Sequence, residues 1–448
     1  VRIGVVLPQD DRVCVHLQIG DDAYELCDSD TMSAPRGLRG CAVRFEIVGA
    51  GISVRDEHGE IASAREWRLS PASAGVESAR PCLWVHGVPA GRGFHWERDI
   101  SIRQPGLIEV TRRNNKLFVV AVVPVEDYML GVITSEMGAA CPPEFLKAQC
   151  VVARSWGIAH TEHKHDDLDF DYCNDDCCQR FHGFAEVSPE ARHAVESTAG
   201  QVLLAEGGVV VDANYSKSCG GVVEDPQLVF GMAKPGLAVL ADAPADSPLQ
   251  RMIPVDESRL SEFLEGDWLS RCDAYCSPRV VPNETLTRFL GPVDTGEGFF
   301  RWRVTYTREE LEDVLRTKLF QRLCIPAEEG LNELCEINVL RRGWSGRALE
   351  IELVYFDAQR RQRRLALEDQ YWIRHALHKS FLYSSAFRVD TRYLPDGRVE
   401  GITLVGAGWG HGVGLCQIGG LGMALSGFTY DAILRHYFPL ADLKRVYG

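Results

Sequence analysis

The chain has 448 residues, 45% of them hydrophobic and 25% charged, which is the composition of a folded protein of two or three domains and excludes disorder. Its formal charge of −15 argues against nucleic acid as the main partner, because phosphate neutralisation needs a basic surface. No segment reaches the ~18 to 20 consecutive apolar residues of a membrane span.

Residues 1–105 read as a β-rich domain of short strands, among them Ile3 to Leu7, Val13 to Ile19 and Val43 to Val48. Its Cys14, Cys27, Cys41 and Cys82 would allow two disulfides. Strand pattern continues through Glu109 to Arg112 and Leu117 to Val123.

A helix follows from Pro124, with Glu126 and Asp127 at its positive end and Gly138 as its stop. At about 100° per residue, Val125, Tyr128, Met129, Val132 and Ile133 share one face, and Glu136 falls near the middle of that face. An acid is therefore aimed inward. Desolvation disfavours a charged carboxylate, which suits a general acid working near neutral pH, although a buried ion pair is the alternative reading. Pro142, Pro143 and Glu144 open a second helix, Phe145 to His160, apolar on nearly every side apart from Lys147, Gln149, Arg154 and Ser155.

His160, His163 and His165 precede Asp171-Tyr172-Cys173-Asn174-Asp175-Asp176-Cys177-Cys178-Gln179-Arg180-Phe181-His182, seven soft or borderline ligands in one short stretch. That density suits zinc, which takes thiolate and imidazole in a tetrahedral set. A disulfide or a surface loop without metal is the alternative. Residues 226–295 are rich in Gly and Pro, with a short helix at Glu257 to Glu265 and a Cys272-Asp273-Ala274-Tyr275-Cys276 pair that reads as a local disulfide as readily as a metal motif. Beyond it lie an aromatic strand, Phe299 to Val304, whose Trp302 offers either a sugar-stacking face or core packing, a helix at Arg308 to Leu319, and strands at Ala348 to Tyr355 and Gly401 to Val405. Arg360-Arg361-Gln362-Arg363-Arg364 reads as a hairpin turn or solvated edge. Near the C-terminus, Gly408 to Gly420 alternates glycine with Trp409, His411 and Gln417, a backbone suited to close approach to a polar ligand.

Three blocks then carry a resemblance: Leu130-Gly131-Val132-Ile133-Thr134-Ser135-Glu136-Met137, Leu146-Lys147-Ala148-Gln149-Cys150-Val151-Val152-Ala153-Arg154-Ser155, and Gly410-His411-Gly412-Val413-Gly414-Leu415-Cys416-Gln417. Asp171-Tyr172-Cys173 to Cys178-Gln179, Asn214-Tyr215-Ser216 to Gly220-Gly221, and Tyr430 to Pro439 extend it. From about residue 106 to the C-terminus the chain resembles the stage II sporulation protein D (SpoIID/LytB) family of peptidoglycan lytic transglycosylases. The resemblance implies an α+β core in two parts, 106–225 and 296–448, with 226–295 as an insertion near the cleft and 1–105 as an added domain. It implies Glu136 as the catalytic carboxyl, and Lys147, Gln149, Arg154, Ser216, His411 and Gln417 as substrate-binding candidates. It also implies zinc held by Cys173, Cys178 and one of His163 or His165, with Cys177 at the position where the family often has His.

Several residues depart from the family pattern. Cys219 and Cys416 stand where it has Ser, Ser216 where His is common, and Ile418 where Tyr is common. Cys219 and Cys416 read as inert thiols, a disulfide pair or shared metal ligands.

The expected reaction is cleavage of the bond between the muramoyl and glucosaminyl sugars of peptidoglycan, leaving 1,6-anhydro ends. One carboxyl suffices for that, whereas hydrolysis generally uses a pair roughly 5 to 9.5 Å apart. Asp212, Glu224 and Asp225 are the sequence's candidates for a second carboxylate under a muramidase alternative. A third reading is a non-catalytic glycan-binding module that enhances an amidase. The expected partner is the glycan strand and the expected location the cell envelope or outside the cell. Because the chain begins at Val1, a leader is expected to have preceded it.

Overall fold

The computed structural model describes residues 1–29, 35–72, 81–94, 97–159, 161, 163–184, 186–291, 294 and 298–448. His160 lies outside them. The chain divides into two compact units, the first formed by Val1–Ala140, His160–Ala199 and Leu290–Val293, the second by Cys141–Ala159, Gly200–Phe289 and Asp294–Gly448. The mixture is α+β, and its β-rich part lies at the N-terminus, as the sequence predicts.

The first unit contains strands β1 (Arg2–Val6), β2 (Cys14–Ile19), β3 (Tyr24–Asp28), β4 (Arg36–Leu38), β5 (Cys41–Val48), β6 (Gly51–Asp56), β7 (Gly59–Ala64), β8 (Trp67–Pro71), β9 (Cys82–Ala90), β10 (Arg98–Pro105), β11 (Leu107–Arg113), β12 (Lys116–Val122) and β13 (Tyr172–Cys173). They form one sheet in the order β13-β1-β12-β11-β8-β3-β4 and another in the order β10-β9-β2-β5-β6-β7. Strands β11 and β12 are joined at Asn114-Asn115, both at positive φ (50° and 61°), the left-handed pair that a two-residue hairpin needs and that Asn tolerates. The cysteines of this region are free thiols rather than two disulfides. The ladder explains part of this: Cys14 is opposite Glu46 and Cys41 opposite Ile19, at the two ends of the β2–β5 pairing, while β3 places Cys27 in the other sheet.

Helix α1 (Val125–Glu136) leaves this unit's last long strand. It is buried on all sides from Asp127 to Glu136, not along one stripe. Polar residues tolerate that burial because Thr134 Oγ1 donates to the Leu130 carbonyl (2.9 Å) and Ser135 Oγ to the Gly131 carbonyl (2.6 Å). Gly131 sits in mid-helix because the Phe181 ring lies on its Cα: a Cβ there would come within 2.3 Å of Phe181 Cε2. A Gly131→Ala change gains about 1 kcal/mol of helix propensity and meets overpacking of up to ~3 kcal/mol. Phe181 is fully buried and has no room to retreat, so overpacking wins. The variant is expected to melt several degrees lower, and an unchanged thermal midpoint would contradict the packing argument.

In the second unit, helix α2 (Pro143–Ala159) packs against the helices at Gln417–Leu425 and Tyr430–Tyr437. A three-stranded antiparallel sheet joins Arg301–Thr307, Val399–Ala407 and Phe387–Tyr393, and a second joins Glu333–Arg342, Ala348–Phe356 and Gln362–Glu368. Trp302 belongs to their shared apolar core, 6% exposed, its indole N–H donating to the Gly408 carbonyl at 3.0 Å, so the sugar-stacking reading does not hold. The arginine run turns the hairpin between Phe356 and Gln362, where Arg361 and Arg363 both pair with the buried Asp357. The helix at Glu257–Glu265 is present, and the one begun at Arg308 runs to Leu315 before widening into a π-turn at Arg316–Phe320.

Candidate functional site

In the first unit Glu136 is the last residue of α1 and is 8% exposed. Its carboxylate Oε1 accepts the backbone N–H of Arg180 at 3.0 Å, and one residue earlier Ser135 Oγ accepts the N–H of His182 at 2.9 Å. The loop that supplies both amides follows the cysteine stretch directly. Tyr128 of α1 stacks on Tyr172 (5.5 Å between centroids, 10° between planes), packs on Phe181 at 5.4 Å and accepts a hydrogen bond from Gln179 at 3.3 Å. The carboxyl and the loop are thus fixed to each other by α1.

That loop is fixed at its other end by the β-rich part of the unit. Strand β1 pairs in parallel with β13, Ile3 beside Tyr172 and Gly4 beside Cys173. The Asp175 carboxylate accepts the N–H groups of Gly91 (2.9 Å) and Arg92 (2.8 Å). The Arg92 guanidinium reaches Asn174 Oδ1 at 2.8 Å and pairs with Asp10 at 2.7 Å. One function of the N-terminal strands is therefore local and visible: they hold the segment that holds Glu136.

Between these anchors His165, Cys173, Cys177 and Cys178 gather, with all four ligand atoms within 4.8 Å of one another. His165 Nε2 lies 3.3 Å from Cys178 Sγ and 3.5 Å from Cys177 Sγ. A tetrahedral zinc with ordinary bond lengths puts N and S ligands about 3.5 Å apart, as His165 stands to Cys177 and Cys178, while the Cys173 and Cys177 sulfurs, 2.9 Å apart, are closer than two thiolates on one zinc. The chemistry of one imidazole and three thiols suits that ion. Of the two histidines the sequence offered, His165 joins the group. His163 pairs instead with Asp166 at 3.3 Å.

Asp176 is a second carboxyl of this neighbourhood that the sequence reading passed over. Burial pushes it up to about 6, against the nearby Arg180 guanidinium, and the charge of Glu136 adds in the same upward direction. Only its place beside the cysteines could have flagged it.

The remaining site candidates lie in the second unit. Lys147 pairs with Glu144 at 2.8 Å near the start of α2. Arg154 is fully buried, giving one Nη to the Gln201 carbonyl (3.1 Å) and the other to Cys150 Sγ (3.1 Å), which ties α2 to the strand at Gln201–Leu204. Gln149 is also fully buried, and neither amide atom has a hydrogen-bond partner among the described residues. Ser216 is 7% exposed, and its hydroxyl is likewise unpartnered among them. Such groups are the ones expected to receive a ligand or water. Gln417 is buried at the first position of its helix.

The glycine-rich loop packs on its own chain. A Cβ on Gly414 would lie 1.9 Å from the Asn214 carbonyl oxygen, and one on Gly412 would lie 2.2 Å from the Arg347 guanidinium carbon. Both have φ above 70°, so glycine is required twice over. Within the loop, His411 Nδ1 accepts the Val413 N–H at 3.0 Å, and the ring also hydrogen-bonds the Tyr215 backbone. Burial, with Arg347, Arg374 and Lys234 adding to it, pushes this imidazole down to about 3, so it is neutral at pH 7. An unfolded chain takes up that proton near 6.5 while the folded chain does not, so stability present above about 6.5 is lost as pH falls toward 3. Thermal midpoints measured at pH 7 and pH 5 should fall further for the unmodified protein than for His411→Gln; equal falls would contradict the assignment.

The second-carboxylate candidates are occupied otherwise. Glu224 is fully buried and accepts the N–H groups of Trp344 (2.9 Å) and Ser345 (3.0 Å), Asp212 pairs with Lys234 at 2.7 Å, and Asp225 caps the short helix at Pro226–Phe230.

Residues 113–204, which include α1, Glu136 and the His/Cys cluster, match the family model described as stage II sporulation protein, SpoIID, and residues 273–414 match a domain of unknown function, DUF8618. The chain therefore carries a SpoIID domain, which suggests a peptidoglycan-related cell-wall function. Among curated proteins it is similar to an uncharacterized protein of Brachyspira hyodysenteriae (strain ATCC 49526 / WA1), 26% identical over 330 residues, covering 74% of this chain and 69% of that one. It is also distantly homologous to the amidase enhancer of Bacillus subtilis (strain 168), a SpoIID-family protein of the LytB type, 24% identical over 321 residues, covering 69% of this chain and 39% of that one. Among the described residues no helix is long and apolar enough to cross a membrane, which says nothing of strands.

Proposed function

We propose that the protein is a peptidoglycan lytic transglycosylase, with Glu136 as the single carboxyl that acts first as acid and then as base. The observation that carries this reading is a buried carboxylate at the end of a SpoIID-domain helix, one oxygen held by the Arg180 amide and fixed by the loop after the cysteine cluster. Glu136 gives its proton to the glycosidic oxygen as the bond to C1 of the muramoyl sugar breaks. The resulting carboxylate takes the proton of the same sugar's C6 hydroxyl, and O6 closes on C1. Atoms balance without water: one chain end is a free hydroxyl and the other a 1,6-anhydro ring.

His165, Cys173, Cys177 and Cys178 would hold a zinc ion, which would cross-link the loop structurally. Gln149 and Ser216, with hydrogen-bonding capacity to spare, are the foremost glycan-binding candidates of the second unit, ahead of Gln417, Lys147, Arg154 and His411. The glycan strand as partner and an envelope or extracellular site of action follow from this reading.

A second reading, a non-catalytic module, is favoured by the similarity to an amidase enhancer. A muramidase would need a second carboxyl, and Asp212, Glu224, Asp225 and Asp176 are each engaged, Asp176 with the Arg180 guanidinium. Cleavage in water enriched in heavy oxygen separates the three. The transglycosylase leaves new ends without label, a muramidase incorporates one heavy oxygen per cut, and a module releases nothing.

A further inference from the structure

The second unit holds another cluster of ligands, two of which, Cys219 and Cys416, depart from the family pattern. Cys219, Cys276, Cys416 and Asp242 are all buried, and their ligand atoms lie within 4.8 Å of one another. Cys219 and Cys276 sulfurs are 3.7 Å apart, and Cys219 Sγ lies 3.3 Å from Asp242 Oδ2. Around one tetrahedral zinc, two thiolates sit about 3.8 Å apart and a thiolate and a carboxylate oxygen about 3.5 Å apart. We propose that Cys219, Cys276, Cys416 and Asp242 bind one zinc ion, a closed structural site in the core of the second unit.

The surroundings suit that ion. Asp242 turns Oδ2 toward the sulfurs while Oδ1 accepts the Tyr437 hydroxyl at 2.5 Å and lies 3.7 Å from His436 Nε2, the outer partners that orient a carboxylate ligand. Thiolates in a dry interior need donors, and three backbone N–H groups point at these sulfurs: Gly221 to Cys219 (3.3 Å), Cys219 to Cys416 (3.2 Å) and Gly419 to Cys416 (3.3 Å). Cys416 also caps the N-terminus of the helix at Gln417–Leu425, where negative charge is favoured. Gly419 leaves the space: a Cβ there would stand 2.2 Å from the Tyr437 oxygen and 2.5 Å from Asp242 Oδ2.

Donor chemistry selects the metal. Calcium and magnesium take hard oxygen sets, whereas three sulfurs and one oxygen at single-ion spacing suit zinc. Four buried side chains fill a tetrahedral set and leave no open coordination position, so the role is mechanical. The ion would bind the segment after Ser216, the inserted region through Cys276 and the end of the glycine-rich loop into one piece.

The test is elemental analysis of the protein, purified without chelator, and of three variants. Cys178→Ser empties the first cluster and should retain one equivalent of zinc. Cys276→Ser and Asp242→Asn should each lose one equivalent relative to the unmodified chain. Cobalt substituted into Cys178→Ser should give thiolate-to-cobalt absorption that Cys276→Ser in the same background lacks. No bound metal in Cys178→Ser, unchanged zinc in both second-site variants, or a disulfide among Cys219, Cys276 and Cys416 in the untreated protein would each overturn the proposal. Asp242→Asn guards the result, since it keeps every thiol and nearly the same shape.

Discussion

Glu136→Gln is expected to lower glycan cleavage by roughly three orders of magnitude or more while leaving the fold and glycan binding intact. Each proton transfer by a placed side chain contributes typically 10²–10⁴-fold, and in this account one carboxyl performs both. The amide keeps the size of the carboxylate, and its carbonyl oxygen can still accept the Arg180 N–H that Glu136 Oε1 accepts at 3.0 Å. Stability should therefore change by less than about 1 kcal/mol. Turnover on purified glycan, thermal melting and pull-down on insoluble peptidoglycan measure the three quantities separately. A variant with unimpaired cleavage would remove Glu136 from the chemistry, and one that unfolds would recast it as a structural anchor.

The second large effect is expected from Cys178→Ser or His165→Ala, which should abolish zinc binding at the first cluster and most of the cleavage activity. The reason is positional. The cluster lies at the base of the loop whose Arg180 and His182 amides hold Glu136 and Ser135. Structural zinc in small domains is worth on the order of 10 kcal/mol of folding free energy, comparable with the whole stability of a typical domain. Here the loss should stay partly local, because Asp175 remains bound to the Gly91 and Arg92 amides and Phe181 remains against Gly131. Hydrogen exchange should accelerate across residues 174–183 while β11 and β12 keep their protection. A chelator should reproduce the effect and zinc should reverse it. Full activity in the metal-free protein would show that the packing of Tyr128, Tyr172 and Phe181 fixes the loop unaided.

Those two arguments draw on features that were unequally legible in the sequence. Local signals served well. Pro124 and Gly138 bracketed α1, the short helix at Glu257–Glu265 formed where it was expected, and the density of His and Cys announced the first cluster. The choice of His165 over His163 needed three dimensions, because both lie within reach of Cys178 along the chain.

Distant convergence was less legible. Cys219 and Cys416 are 197 residues apart, Cys219 and Cys276 are 57 apart, and Asp242 carries no motif at all. Cys219 and Cys416 were weighed as shared ligands only through the family pattern, and the Cys272/Cys276 pair, read as a local disulfide or a metal motif, gives only Cys276 to the cluster. The glycine alternation at Gly408 to Gly414 was legible in part. It signals close backbone approach correctly, but the object approached at Gly412 and Gly414 is Arg347 and Asn214, within the protein itself. For Gln149, buried amide atoms without partners became visible only after the burial of α2 was known.

The most direct measurement of the central claim is mass spectrometry of the glycan ends released from intact and from peptide-stripped peptidoglycan by the unmodified protein and by Glu136→Gln. The account predicts muramoyl ends about 18 Da lighter than hydrolytic ends, because no water is added, from the unmodified protein and not from the variant. Reducing ends of full mass, or equal release by both proteins, would contradict it.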